Sequence, residues 1–325
     1  MDRTVQQTDY DALSCRMAAI TRGYLPSQKQ IEQCGYEGYT EVHVEYCNVL
    51  RRLSRRLYSR VQKACTTLLP VMNYGSFVRT VSVDVKLHKY VAGFGGRAQV
   101  VNLGCGSDLR MCMLLERYPE LHYVDVDFAE TVKMKREVLM QSAELCRRIG
   151  ASSTSPQEQD CVLHGPRYRL LAGDLRDTGA LLELLQKHTD ADLPTVVITE
   201  CVLCYLPREA AQALIREVCG FYKSGSWISY DPIGGGQRED RFGSIMQSNL
   251  REFRQLELPT LMEFNSKEKY SARFPAPSNI QTMWEYYMTD ISEDEKRKLK
   301  TLQFLDEVEE LEILLSHYVI LVTSW

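Results

Sequence analysis

Four places in this chain end an apolar run on a residue able to bind a ligand. Gln99-Val100-Val101-Asn102-Leu103 stops at Gly104-Cys105-Gly106, and Leu121-His122-Tyr123-Val124-Asp125-Val126 stops at Asp127. Tyr168-Arg169-Leu170-Leu171-Ala172-Gly173 leads to Asp174-Leu175, and Thr195-Val196-Val197-Ile198-Thr199 to Glu200. The Gly-x-Gly turn admits a ligand to the main chain, because a Cβ would hold it off and forbid positive φ. A carboxylate at Asp127 can accept both hydroxyls of a ribose, each oxygen having two lone pairs. Asp174 beside apolar Leu175 suits an adenine, the carboxylate taking its exocyclic amine. Glu200 is placed to hold an ammonium group. Singly, strand-end carboxylates are commonly helix N-caps or solvated loop residues. Four ligand-type positions at successive strand ends favour a site.

A nicotinamide dinucleotide is the first competitor for such a sheet. Leu109 stands where the third glycine of G-x-G-x-x-G belongs, and Ser107-Asp108 puts a negative charge near where phosphates would lie. A cationic, phosphate-free nucleoside fits better. S-adenosyl-L-methionine is such a ligand, with ribose, adenine, an amino-acid end and a sulfonium.

The positioning elements follow from hydrophobic periodicity. Residues 1–95 read as a helical elaboration, with helices over 10–23, 40–69 and 76–91, the second stopped by Pro70. Strands over 99–103, 121–126, 167–172, 195–199 and 226–230 then alternate with helices over 108–117, 129–149, 177–188 and 207–222. A polar link spans 151–160. This alternation implies an α/β fold with a doubly wound, mostly parallel sheet. Residues 236–300 read as a helical insertion, a lid over the substrate. A helix over 306–315 and a strand over 317–322 close the sheet with an antiparallel addition. The chain is thus read as one domain of 1–325, its core at 96–235 and 301–325.

With 25% charged and 44% apolar residues, the composition is that of a soluble globular protein. A net charge of −4 speaks against nucleic acid as partner, and no run approaches membrane-spanning length. Eleven cysteines without regular spacing point to reduced thiols in the cytoplasm. Cys201-Val202-Leu203-Cys204 stands alone, without a second pair for zinc, and reads as two small core residues. Residues 1–90 hold 13 Lys and Arg against 8 Asp and Glu. Arg51, Arg52, Arg55, Arg56, Arg60 and Lys63 crowd one helix face, by default a solvated one. A docking surface for an acidic partner is the sharper reading.

Several motifs, taken together, resemble one family. They are Gln6-Gln7-Thr8-Asp9-Tyr10-Asp11-Ala12-Leu13-Ser14-Cys15, Pro70-Val71-Met72-Asn73-Tyr74-Gly75, the turn at 101–110, Glu200-Cys201-Val202-Leu203-Cys204-Tyr205, Asp240-Arg241-Phe242-Gly243 and Leu302-Gln303-Phe304-Leu305-Asp306-Glu307. Nearly end to end, the chain resembles the leucine carboxyl methyltransferases, most closely the fungal members. The resemblance implies a class I S-adenosylmethionine-dependent methyltransferase fold. It also implies methylation of the C-terminal leucine α-carboxylate of the protein phosphatase 2A catalytic subunit, which regulates phosphatase holoenzyme assembly. By resemblance, Arg79 pairs with the methionine carboxylate of the cofactor, Gly104 lies against it and Asp127 holds its ribose. Asp174 and Leu175 border its adenine, and Glu200 faces its methionyl part. Tyr205 lines the reacting centre, and Arg176 anchors the substrate carboxylate. The expected partner is the phosphatase tail, with neither nucleic acid nor membrane, and the chain is read as a monomer.

A peptide α-carboxylate, with a free pKa of about 3.3–3.7, is already ionised at neutral pH, so no general base is required. That agrees with the lack of any Ser/His/Asp or Cys/His constellation. Phe242, Ile245, Met246 and Met262 are candidates for a leucine pocket. The alternatives are a methyltransferase of another carboxylate or of tRNA, and a binding module that lost its chemistry.

Overall fold

The computed structural model describes residues 2–152, 161–236, 240–306 and 308–325. Five helices precede the sheet: α1 (Asp2–Thr21), α2 (Gln28–Cys34), α3 (Tyr39–Leu53), α4 (Arg55–Thr67) and α5 (Pro70–Gly93). The alternating section follows as β1 (Gln99–Leu103), α6 (Arg110–Arg117), β2 (His122–Asp127), α7 (Ala129–Met140), α8 (Ala143–Ile149), β3 (Cys161–His164) and β4 (Tyr168–Ala172). It continues with α9 (Thr178–His188), β5 (Thr195–Glu200), α10 (Arg208–Phe221) and β6 (Gly225–Pro232). The rest comprises α11 (Phe242–Arg254), α12 (Lys267–Ser271), β7 (Ser278–Thr282), α13 (Met283–Asp290), α14 (Glu293–Leu302), α15 (Val308–Ser316) and β8 (Tyr318–Ser324). No helix among the described residues is long and apolar enough to cross a membrane.

These strands form one sheet in the order β3-β4-β2-β1-β5-β6-β8-β7. The five strands from β4 to β6 are parallel. Strands β3, β8 and β7 run antiparallel to their neighbours, so both edges close antiparallel. Successive strand residues point to opposite faces. Val100, Val196 and Ile198 join a core under the N-terminal helices, α6–α8, α13 and α15. Val101, Val197 and Trp227 join a second core under α9, α10 and α12. Both faces are covered, which is why the central strands are rich in Val, Ile and Leu on both sides, as in Val100-Val101 and Val196-Val197-Ile198. Chain order reverses between β1 and β5, and that switch point opens a crevice at the carboxyl ends of the strands.

Several boundaries differ from expectation, each for a local reason. The helix expected over 40–69 breaks at Ser54, which leaves helical geometry (φ −147°, ψ 95°) and caps α4 by accepting the Leu57 N–H. Ser142 divides 129–149 in the same way, its side chain accepting from Leu145 N. Pro70 does not merely stop a helix; it occupies the first turn of α5, where its missing N–H costs nothing. The insertion expected to be helical also supplies a strand. Within it, β7 is polar, only partly buried and pairs with β8 as an edge strand. The polar link resumes structure as β3 from Cys161, and its residues 153–160 lie outside the described ones.

Candidate active site

The turn after β1 is tied to the end of β2. Gly104 and Cys105 both donate their N–H to Val126 O, at 2.8 and 3.1 Å. Gly104 takes φ +72°, and a Cβ there would meet Val202 Cγ2 at 2.5 Å. Gly106, at φ +45°, donates its N–H to Asp127 Oδ2 at 2.7 Å. Ser107 donates its N–H to Asp9 Oδ1 at 2.6 Å and its hydroxyl to Asp9 Oδ2 at 2.8 Å. Two N–H groups of the glycine turn are therefore already aimed at carboxylates. A pyrophosphate would find those donors engaged and negative charge around it, which disfavours a dinucleotide.

Asp127 accepts a second main-chain bond, from Phe128 N at 2.7 Å. Burial pushes its carboxyl up to about 6, against the lowering pull of both main-chain donors. Strand β5 ends on Glu200, and the next residue, Cys201, takes the left-handed φ of +56°. Cys201 donates its N–H to Tyr230 O at 2.7 Å, and a short 3-10 turn, Leu203–Tyr205, follows. The chain thereby reverses between the Glu200 carboxylate and the Tyr205 phenol.

A buried charge network surrounds Glu200. Arg79, midway along α5, places Nε 2.6 Å from Glu200 Oε1, and Arg110 Nη1 lies 2.7 Å from Oε2. Arg16 of α1 reaches Glu200 and Asp108 at 3.5 Å each. Arg110 also binds Asp84 through Nε and Asp108 at 2.8 Å. Burial works against ionising Glu200, but the guanidiniums of Arg110, Arg79 and Arg16 outweigh it and pull the carboxyl down to about 2. Three cations against three carboxylates leave the cluster near neutrality, the condition under which buried charge is tolerated. A zwitterionic amino-acid end needs both signs side by side, and the Arg79–Glu200 pair presents them.

Arg176 folds back onto Asp174, with Nε at 2.9 Å from Oδ1 and Nη2 at 2.5 Å from Oδ2. These hydrogen bonds hold the Asp174 carboxyl below its ordinary range. Burial pushes the Tyr205 phenol well above its ordinary value, despite a hydrogen bond with Thr8, so this hydroxyl is neutral. All eight residues singled out from the sequence (Arg79, Gly104, Asp127, Asp174, Leu175, Arg176, Glu200 and Tyr205) border one cavity of about 470 Å³. That size falls within the ~300–1,000 Å³ of small-molecule sites. Its far end is apolar, walled by Tyr205, Leu206, Met246, Leu250, Leu256 and Leu258. Helices α1 and α11 close over it, joined by Arg254 Nη1 and Asp11 Oδ2 at 2.5 Å.

Sequence reasoning missed Asp9, Arg16 and Arg110. Asp9 lies within a motif noted only for resemblance, and nothing in local spacing tells that α1 folds against a turn about 100 residues later. Cys201 and Cys204, read as core residues, both border the cavity. Of the leucine-pocket candidates, Met246 alone lines this cavity. Phe242 stacks on buried His317 at 4.1 Å, and with Ile245 it borders an adjoining groove. Met262 lines neither cavity nor groove.

Fold and site together define a methyltransferase of the doubly wound α/β class, with strand-end carboxylates and an apolar wall in one cavity. Among solved structures, a DUF574 family protein from Streptomyces avermitilis shares the fold at a TM-score of 0.54, with 14% identity over 86% of this chain and 95% of that one. The family model for leucine carboxyl methyltransferase matches residues 39–219. Leucine carboxyl methyltransferase 1 of Kluyveromyces lactis is 48% identical over 331 residues, covering 100% of this chain and 99% of that protein. Its counterpart in Yarrowia lipolytica is 32% identical over 99% of this chain and 97% of its own length. The chain belongs to the leucine carboxyl methyltransferase family. It is an enzyme, and its methyl donor is S-adenosyl-L-methionine.

Proposed function

We propose that this enzyme esterifies the α-carboxylate of the C-terminal leucine of the protein phosphatase 2A catalytic subunit, in the cytoplasm and as a monomer, and so regulates assembly of the phosphatase holoenzyme. The observation that carries the reading is the cavity's two-ended build. The residues suited to a phosphate-free nucleoside and a zwitterion share one cavity with an apolar wall of Leu206, Met246, Leu250, Leu256 and Leu258. The relatives carry leucine carboxyl methylation in their names, and all eleven cysteines are free, as a reducing compartment requires.

S-adenosyl-L-methionine, when bound, supplies an electrophilic methyl group on a sulfonium. The chain's own residues do the rest. Asp127, held by two main-chain donors, takes the ribose hydroxyls, and Asp174 takes the adenine amine. Arg79 and Glu200 take the carboxylate and ammonium of the amino-acid end, with Arg16 as a second cation at the same point. The incoming carboxylate is ionised without help, so the protein must align it and keep water out. The neutral Tyr205 hydroxyl can orient one carboxylate oxygen without withdrawing charge as a cation would. Arg176, held by Asp174, reaches the substrate by exchanging one carboxylate for another. Met246, Leu250 and Leu258 receive the leucine side chain.

The test is incubation with methyl-labelled donor and phosphatase catalytic subunit, beside the same protein lacking its terminal leucine. Base-labile label on the intact subunit alone is the expected result. Label on both, or on neither, overturns the reading.

A further inference from the structure

The outer face of α3 and α4 carries charge that no carboxylate among the described residues offsets; Arg51 alone has a ring partner, Tyr58 at 5.7 Å. Arg51, Arg52, Arg55, Arg56, Arg60 and Lys63 are all exposed, and no Asp or Glu among the described residues forms an ion pair with any of them. From 46 to 83 the sequence has no acidic residue at all. Several arginines elsewhere behave differently. Arg148, Arg208, Arg251 and Arg254 each meet a carboxylate. A face lining up cations without interspersed anions projects a positive field, which fades over about 8 Å at physiological salt.

Its position matters as much as its sign. Helix α4 packs along α1, and their ends meet where Thr21 approaches Cys65 and Arg22 approaches Thr66, at 3.8 and 3.5 Å. The other side of α1 supplies Thr8, Asp9, Ala12, Cys15 and Arg16 to the cavity wall. The cationic face is therefore separated from the cavity lining by one helix, α1.

We propose that this face docks an acidic surface on the folded body of the protein whose C-terminus enters the cavity. The inference rests on the phosphatase reading above. Its charge contributes to capture of the whole substrate and nothing to the handling of the tail, so protein and peptide substrates are separated by it.

The experiment compares wild type with the variant R52E/R55E/R56E/R60E, and with the four-fold Gln variant in case reversal impairs folding. KM is measured for the folded phosphatase catalytic subunit and for its isolated C-terminal peptide, at low and high salt. Expected is a rise of about tenfold in KM for the folded protein, smaller in the Gln variant and shrinking at high salt. The peptide KM and donor affinity stay unchanged. An unchanged KM for the folded protein overturns the proposal, and so does an equal rise for the peptide. It is likewise overturned if the variants instead lose wild-type binding to RNA or to phosphatidylserine vesicles with KM intact. Should wild type methylate neither substrate, the phosphatase reading itself has failed.

Discussion

The two ends of the cavity are made from different materials. At the end formed by the glycine turn, main-chain groups and strand termini do the holding: Gly106 and Phe128 clamp Asp127, and Val126 O pins the turn. At the apolar end, side chains of α11 and the segment after it form the wall, with Tyr205 on its 3-10 turn. The first end is fixed by the sheet and tolerates little change. The second is a helix laid across a finished platform, free to alter what enters without disturbing what activates it.

The largest effect should come from the charge network beneath the rigid end. Arg110→Met leaves Asp84, Asp108 and Glu200 short of a cation, and should cost about 3–5 kcal/mol of stability, read as a lowered urea midpoint. A near-neutral result would mean the network is ornamental. Next, Asp127→Ala should weaken donor binding about 100-fold in calorimetry while the thermal transition persists. Replacing Met246 and Leu250 by alanine should sharpen the contrast. For leucine-ended substrate, kcat/KM falls about 10- to 100-fold with donor affinity unchanged. A parallel loss of donor affinity would erase the distinction between the ends.

The smallest effect is one of pH. Burial pushes the Asp127 carboxyl up to about 6, and on the proposed reading ribose hydroxyls donate to its ionised form. Donor affinity should be flat above pH 7 and fall as pH drops below about 6, by up to tenfold per unit. The same raised value means the folded chain keeps a proton between about pH 4 and 6 that the unfolded chain has released. This residue's contribution to stability therefore decreases as pH rises through that window. Titration calorimetry across pH 5–8 checks the binding limb, and Asp127→Ala should abolish the slope.

What could be read in advance follows the same division. Strands β1 and β5 are buried almost throughout and carry the apolar runs Val100-Val101 and Val196-Val197-Ile198, so their ends, and the ligand positions there, stood out. Asp127 and Glu200 are the terminal residues of β2 and β5. Asp9 and Arg16 were hidden because their function depends on partners 98 and 184 residues away. Strand β7 escaped because Ser278-Asn279-Ile280-Gln281-Thr282 is polar and follows Pro275 and Pro277, which read as loop. The breaks at Ser54 and Ser142 turn on single side-chain bonds, which hydrophobic spacing does not register.

Helix α1 has a consequence for how the molecule is made. It is synthesised before every strand, yet Asp9 waits for Ser107, Arg16 for Glu200, and Asp11 for Arg254, which is 243 residues further along. Such distant pairings form late and slowly. A nascent chain halted before α11 would own strands β1 to β6 and the glycine turn but lack α11, β7 and β8, so the cavity is completed only once the segment beyond residue 242 has been made.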